Sequence, residues 1–363
     1  MAILAGCGNM LPDVALLDAV RPLAARIEVT APLVPDEDPD LPSRAQALPF
    51  ETVTITPLVA GPQGVVDVDT LGPLWFACPL SPAQSLYGCI SSAFPTALDE
   101  LPECEIPDPG FDLDFSEIPP AQGLCRLSTA ANAELTIPFD LNILSGGGVE
   151  VTMIAGVPGG TSTETCADVL LSGDIEVPDD CVLMLQRVTV GPLEQLFALA
   201  AGFGAEIPPE FLPEDPESLP DFDRNTEIEE IGVFRLPELG AQPNAPLESI
   251  PPGGVVEASY GDALRFAGLA SAFSLQTFDV ESTNGEVREE SEAYQGAWYR
   301  TWGRLQSPSS NDAVSFNEYE VVEGSQDELE LPEGDAVQFI YVLRDGRSGV
   351  DWRTWTLEAS SPP

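Results

Sequence analysis

Six of the seven cysteines lie between Cys78 and Cys181, and this set constrains the fold more than any other feature of the chain. An even set at loop-like spacing points to disulfides, which persist in oxidising compartments. Zinc ligation is the rival reading, but no two of these cysteines have the close CxxC spacing of a zinc site. Of the many pairings six cysteines allow, the expected one joins neighbours: Cys78–Cys89, Cys104–Cys125 and Cys166–Cys181.

The seventh cysteine stands apart. Leu4-Ala5-Gly6-Cys7 resembles the lipobox of bacterial lipoproteins, at which a secreted precursor is cleaved and its cysteine lipidated. Residues 1–7 are read as a residual lipoprotein signal, with Cys7 as the lipidation site. Six residues precede Cys7. A full signal carries a basic segment and an apolar stretch of about 7–15 residues, so the true start is expected upstream of Met1. No run approaches the ~20 apolar residues of a membrane helix. The expected anchor is therefore lipid, and the expected location is the cell envelope, at the outer rather than the inner membrane.

Absent residues narrow the chemistry. The chain carries 60 acids against 14 bases, a net charge of −46, and has no histidine. Every base is arginine. Without histidine there is no Ser-His-Asp machinery and no histidine-ligated zinc. Without lysine there is no Schiff base and no P-loop lysine. The charge repels nucleic acid and anionic membrane surfaces. What remains is carboxylate chemistry, or none.

Residues 8–20 read as a tether, and a β pattern begins at Arg21. Segments 25–30 and 51–56 alternate polar with apolar, as half-buried strands do. Residues 133–143 alternate most clearly, with Leu135, Ile137, Phe139, Leu141 and Ile143 on one face. Further strands are expected at 74–78, 149–154 and 181–190. Residues 99–122 are rich in proline and acid and read as an insertion stapled by Cys104 and Cys125. A short helix is expected at 192–203, with Pro192 in its first turn. The acidic, proline-rich stretch 205–223 reads as a semi-rigid linker. It divides an N-terminal β-sandwich-like domain, 21–204, from a C-terminal one, 224–360.

In the second domain, strands are expected at 255–259, 263–266, 273–280, 297–302, 314–319, 337–343 and 351–357. Short strands at this spacing suggest an immunoglobulin-like sandwich. Arg344-Asp345-Gly346-Arg347-Ser348-Gly349 supplies the turn between the last two. The strand and turn from Phe339 through Arg344-Asp345-Gly346-Arg347-Ser348-Gly349-Val350-Asp351-Trp352 resemble the ending of a group of myxobacterial lipoproteins. Shorter segments fit the same group: Ala-Arg-Ile-Glu at 25–28, Glu-Thr-Val-Thr-Ile-Thr at 51–56 and Phe76-Ala-Cys-Pro-Leu80. The resemblance implies an exported lipoprotein with tandem immunoglobulin-like domains and carries no activity with it.

Candidate sites follow from the residue types that remain. Acid clusters favour calcium, which takes six to eight oxygen ligands. They occur at 36–40, 67–69, Asp112 with Asp114, and Asp221 with Asp223. None has EF-hand or nonapeptide spacing, so a solvated loop explains each as well, and no cofactor is expected beyond possible calcium. Trp298, Arg300, Trp302 and Arg304, with Arg353 and Trp355, form an aromatic–arginine set. It is either a carbohydrate- or protein-binding platform or a tryptophan core covered by arginine stems. Asp69-Thr70-Leu71-Gly72 is a broken form of the aspartic-protease Asp-Thr-Gly, and nothing singles out a glycosidase pair. The expectation is mainly β: two sandwiches, a stapled insertion, one short helix and no catalysis. The role is structural or ligand-binding in the envelope, with the membrane reached through lipid and an envelope protein or glycan as partner. The alternatives are a calcium-dependent adhesion or carbohydrate-binding protein and, more remotely, a carboxylate-dependent hydrolase.

Overall fold

The alternating segments near the start become β1 (Arg21–Ala31) and, after the two-residue β2 (Gln46–Ala47), β3 (Thr52–Gly61). In this computed structural model the described residues are 13–36, 38, 40–105, 118–173, 177–202, 207–208, 219–272, 275–281, 287–321 and 336–360. Cys7, Asp112 and Asp114 lie outside them. The first half continues through β4 (Gly64–Val65), β5 (Leu74–Leu80), α1 (Gly88–Ser92), β6 (Cys125–Ser128), β7 (Ala133–Thr136), α2 (Leu141–Leu144), β8 (Gly148–Gly156), α3 (Thr163–Ser172), β9 (Cys181–Val190) and α4 (Leu193–Gly202).

β1, β3, β4 and β7 make one sheet, and β2-β9-β8-β5-β6 a second. Ile27 pairs with Ile55 and Val29 with Val53, so the period of two puts both apolar sets on the face toward the second sheet. There they meet Trp75, Val151 and Met153. The far side of the second sheet is covered by α1 and α3, where Phe76 and Ile154 pack with Ile90, Ala167 and Leu170. β8 is therefore covered on both faces and buried at every position, its polar residues Glu150 and Thr152 included.

Three disulfides join Cys78 to Cys89, Cys104 to Cys125 and Cys166 to Cys181, the neighbour pairing that the spacing predicts. The first ties β5 to α1, and the third ties α3 to β9. The second ties Cys104 to β6; residues 106–117 of the expected insertion lie outside the described residues. Replacing Cys104 and Cys125 together by serine releases that loop in the unfolded chain, with an expected loss of about 3 kcal/mol by the chain-entropy account. Urea unfolding at fixed pH reads the loss as a lower midpoint.

Two local expectations change. The run 133–143 is not one strand: β7 ends at Thr136, and Asp140 caps the turn α2 by accepting from the Ile143 amide at 3.1 Å. Pro138 has no N–H to continue a ladder, and Leu141 points outward at 60% exposure. The helix near the linker forms as α4, but α3 is a second full helix in this half. Ser162 caps its start, Gly173 (φ 83°) ends it, and Cys166, Ala167, Leu170 and Leu171 make its buried face.

The second half contains β10 (Ile228–Leu236), β11 (Glu248–Ser249), β12 (Val255–Ser259), β13 (Ala263–Ala270), β14 (Thr277–Glu281), β15 (Val287–Ser291), β16 (Gln295–Arg300), β17 (Ser309–Ser310), β18 (Val314–Glu320), β19 (Ala336–Arg344) and β20 (Val350–Ser360). Sheet β11-β10-β13-β18 faces sheet β12-β20-β19-β16-β17, and β14 and β15 form a separate ribbon. The core between the sheets is aromatic: Phe339 stacks on Trp355 at 5.5 Å, and Trp298 meets Tyr341 at 4.4 Å. β10 escapes a pattern search because its register shifts between Ile228 and Glu230. Gly232 also interrupts its alternation; a Cβ there would lie 2.6 Å from Leu247 Cγ.

The two halves share a further apolar cluster. Leu23, Ala24, Leu58 and Ala60 of β1 and β3 pack on Ile340, Val342 and Val350 of β19 and β20, with Leu17 between them. Residues 13–20, expected as a tether, are docked there. Leu17 N–H donates to the Arg300 carbonyl and Arg300 N–H to the Ala15 carbonyl, both at 2.9 Å. Ala15 and Leu17 are 2% and 1% exposed, and burying them is what seats the segment.

Candidate functional site

Where the chain enters the second half, three acids from separate segments converge. The backbone of Asp223 is stitched to the first half: its carbonyl accepts from Ala45 N–H at 2.9 Å and Gln46 N–H at 3.2 Å. Its own N–H donates to Gln46 Oε1 at 3.0 Å. Asp345 opens the turn after β19, where its Oδ1 accepts from the Arg347 and Gly349 amides at 2.8 and 3.2 Å. A Cβ on Gly349 would sit 1.8 Å from Asp345 Oδ2 and 2.4 Å from the Arg224 carbonyl, so glycine is required. Glu292, between β15 and β16, accepts from the Gln276 amide at 2.8 Å.

Asp223, Glu292 and Asp345 are all buried, and one carboxylate oxygen from each lies within 4.8 Å of the others. Arg347 is the nearest countercharge. Its Nη1 is 3.0 Å from Glu292 Oε1 and 3.7 Å from Asp223 Oδ1. Its guanidinium lies 4.4 Å from the Phe278 ring centroid. Neither oxygen of Asp223, nor Asp345 Oδ2, accepts a hydrogen bond of ordinary length. A cleft of about 550 Å³ reaches Arg347 from one side, lined also by Asp221, Glu194 and Glu289. A second, of about 430 Å³, reaches the 346–350 turn from the other.

Burial raises all three carboxyl groups above their ordinary range. For Asp345 burial is the largest cause, opposed by the Arg347 amide and reinforced by the charges of Asp223 and Glu292, and the result is about 7. Glu292 is raised by burial and by Asp223, against the Gln276 amide and Arg347. Asp223 is raised by burial, with partial relief from Arg347 and Ser348. Chemically, such a set can share protons or surround a hard cation.

Of the calcium candidates, the structure brings only Asp223 into this cluster; Asp221 is exposed on the rim of the larger cleft. Glu292 and Asp345 were not singled out by sequence. The Asp-Gly-Arg-Ser-Gly stretch signalled a turn correctly, but not that its aspartate faces two other acids.

The aromatic–arginine set does not form a surface platform. Trp298, Trp302, Trp355 and Arg300 are each 1% exposed. The indoles fill the space between the two sheets, where their large apolar area gains most from burial. Arg300 donates to the Gly303 carbonyl at 2.7 Å and pairs with Asp13, holding the docked N-terminal segment. Arg353 pairs with Asp351 at 2.9 Å, and Arg304, exposed, lies beyond the end of β16.

No protein-family model matches the chain, and no curated protein is similar to it. Among solved structures, dimeric latent PorU from Porphyromonas gingivalis aligns over 93% of this chain at 13% identity with a TM-score of 0.20. The chain spans 24% of that protein's length.

Proposed function

We propose that the chain is an exported, lipid-anchored protein of the cell envelope with a structural or ligand-binding role and no catalysis. The observation that carries this reading is the pairing of all six cysteines between Cys78 and Cys181 as disulfides, a state that belongs to oxidising compartments. Tandem immunoglobulin-like domains are part of the same reading, supported by two pairs of facing sheets. Among the described residues no helix is long and apolar enough to cross a membrane, and Cys7 is the proposed anchor point.

Glycan binding loses its main support with the tryptophans buried. A carboxylate hydrolase is disfavoured because the converging acids lie below the surface. The test is metabolic labelling with radioactive palmitate in a bacterial host, with the chain expressed behind a lipoprotein signal sequence. Label incorporated by the wild type and lost in Cys7→Ser is the expected result. An unlabelled wild-type protein recovered with free thiols in the cytoplasm would overturn the reading.

A further inference from the structure

The three converging acids bring more carboxylates to one buried place than the single neighbouring guanidinium can pair. Asp223 is fully buried, Ser348 and Arg347 relieve its carboxylate only in part, and neither of its oxygens nor Asp345 Oδ2 accepts a hydrogen bond of ordinary length. Buried carboxylates are ordinarily paired or ligate a metal, because an uncompensated one loses its solvation without return. Three carboxylates here face one guanidinium, which reaches Glu292 at 3.0 Å but stays 3.7 Å from Asp223.

We propose that Asp223, Glu292 and Asp345 bind a divalent cation of the calcium type at the junction of the two halves. The donor set is all oxygen, with neither histidine nor thiolate, which selects hard cations over zinc or copper. Calcium suits it better than magnesium. Calcium accepts irregular geometry and bidentate carboxylates, whereas magnesium demands near-octahedral coordination and sheds water reluctantly. The acid-lined cleft with Asp221, Glu194 and Glu289 reaches Arg347, the guanidinium that borders the three acids.

The consequence for the fold is a brace. Asp223 is fixed through its backbone to Ala45 and Gln46, while Glu292 and Asp345 belong to turns of the second half. One ion bound by all three joins those pieces. This inference stands independently of the envelope reading, since it rests on the site alone.

The test uses the full chain, dialysed against EDTA and then titrated with calcium chloride at pH 8. Calorimetry is expected to give one ion per chain, and millimolar calcium to raise the thermal midpoint by about 5 °C, with magnesium giving less. The isosteric variants Asp223→Asn and Asp345→Asn should lose the shift; Asp312→Asn, at an exposed acid of the same half, should keep it. An unchanged wild-type midpoint overturns the proposal. So does a calcium shift that survives in both Asp223→Asn and Asp345→Asn, because the ion would then bind elsewhere.

Discussion

Replacing Glu51 by glutamine is expected to destabilise the protein by about 3–5 kcal/mol, the cost of leaving a buried charge without its partner. Arg44 and Glu51 form a salt bridge with side chains 1% and 0% exposed. The arginine also donates to the Val34 carbonyl at 2.9 Å and stacks 3.6 Å from the Phe222 ring centroid. The glutamate accepts from the Leu33 and Leu48 amides at 2.7 and 2.8 Å. Leu33 uses one carboxylate oxygen and Leu48 the other, and glutamine supplies only one acceptor, so Glu51→Gln removes the charge together with one of these hydrogen bonds. Adding Arg44→Met removes the stranded cation as well. The double variant is therefore expected to be more stable than the sum of the single losses predicts, with a coupling of about 1–3 kcal/mol. Urea denaturation of the four proteins of the cycle measures this. Strict additivity would mean that the two side chains do not act as a pair.

That pair also marks the limit of what the sequence reveals. Strands such as β3 and β9 are legible because each buries alternate positions against a sheet, and this imprints a period of two on a few consecutive residues. The cysteine pairs are legible because each closes a short local loop. Arg44 and Glu51 carry no such imprint: each reads as one more polar residue, and only the fold, which sets Arg44 against Phe222 and Glu51 at the Leu33 and Leu48 amides, buries them. Asp223, Glu292 and Asp345 are harder still. In a chain with 60 acids, nothing local separates three that meet from the many that face water. The tryptophans at 298, 302 and 355 fit a core or a surface equally well by alternation alone. The aromatic packing against Phe339 and Tyr341 decides for the core.

In cation-free buffer, the acid cluster sets a pH dependence opposite to that of salt-bridged carboxylates. The folded-state value of Asp345 stands at about 7, above the ordinary value of 3.8. Below about pH 4 both folded and unfolded chains hold this proton, and the group is neutral to stability. As pH rises toward 7 the unfolded chain releases the proton while the folded one retains it. Stability therefore falls across that window, by an amount on the order of 4 kcal/mol, and levels off above it. The net charge of −46 also weakens the fold as pH rises, so the wild-type curve alone does not isolate Asp345. Asp345→Asn does. Asparagine keeps the Oδ1 acceptor for the Arg347 and Gly349 amides and offers an N–H toward the neighbouring acids. In EDTA the variant is expected to match the wild type near pH 4 and to exceed it by several kcal/mol at pH 8, the gap opening between those limits. A gap of constant size across the range would show that Asp345 does not carry its proton into the neutral region. If the proposed cation site is correct, millimolar calcium at pH 8 should close the same gap from the other side, stabilising the wild type and leaving the variant where it was, because ligation requires the deprotonated carboxylate.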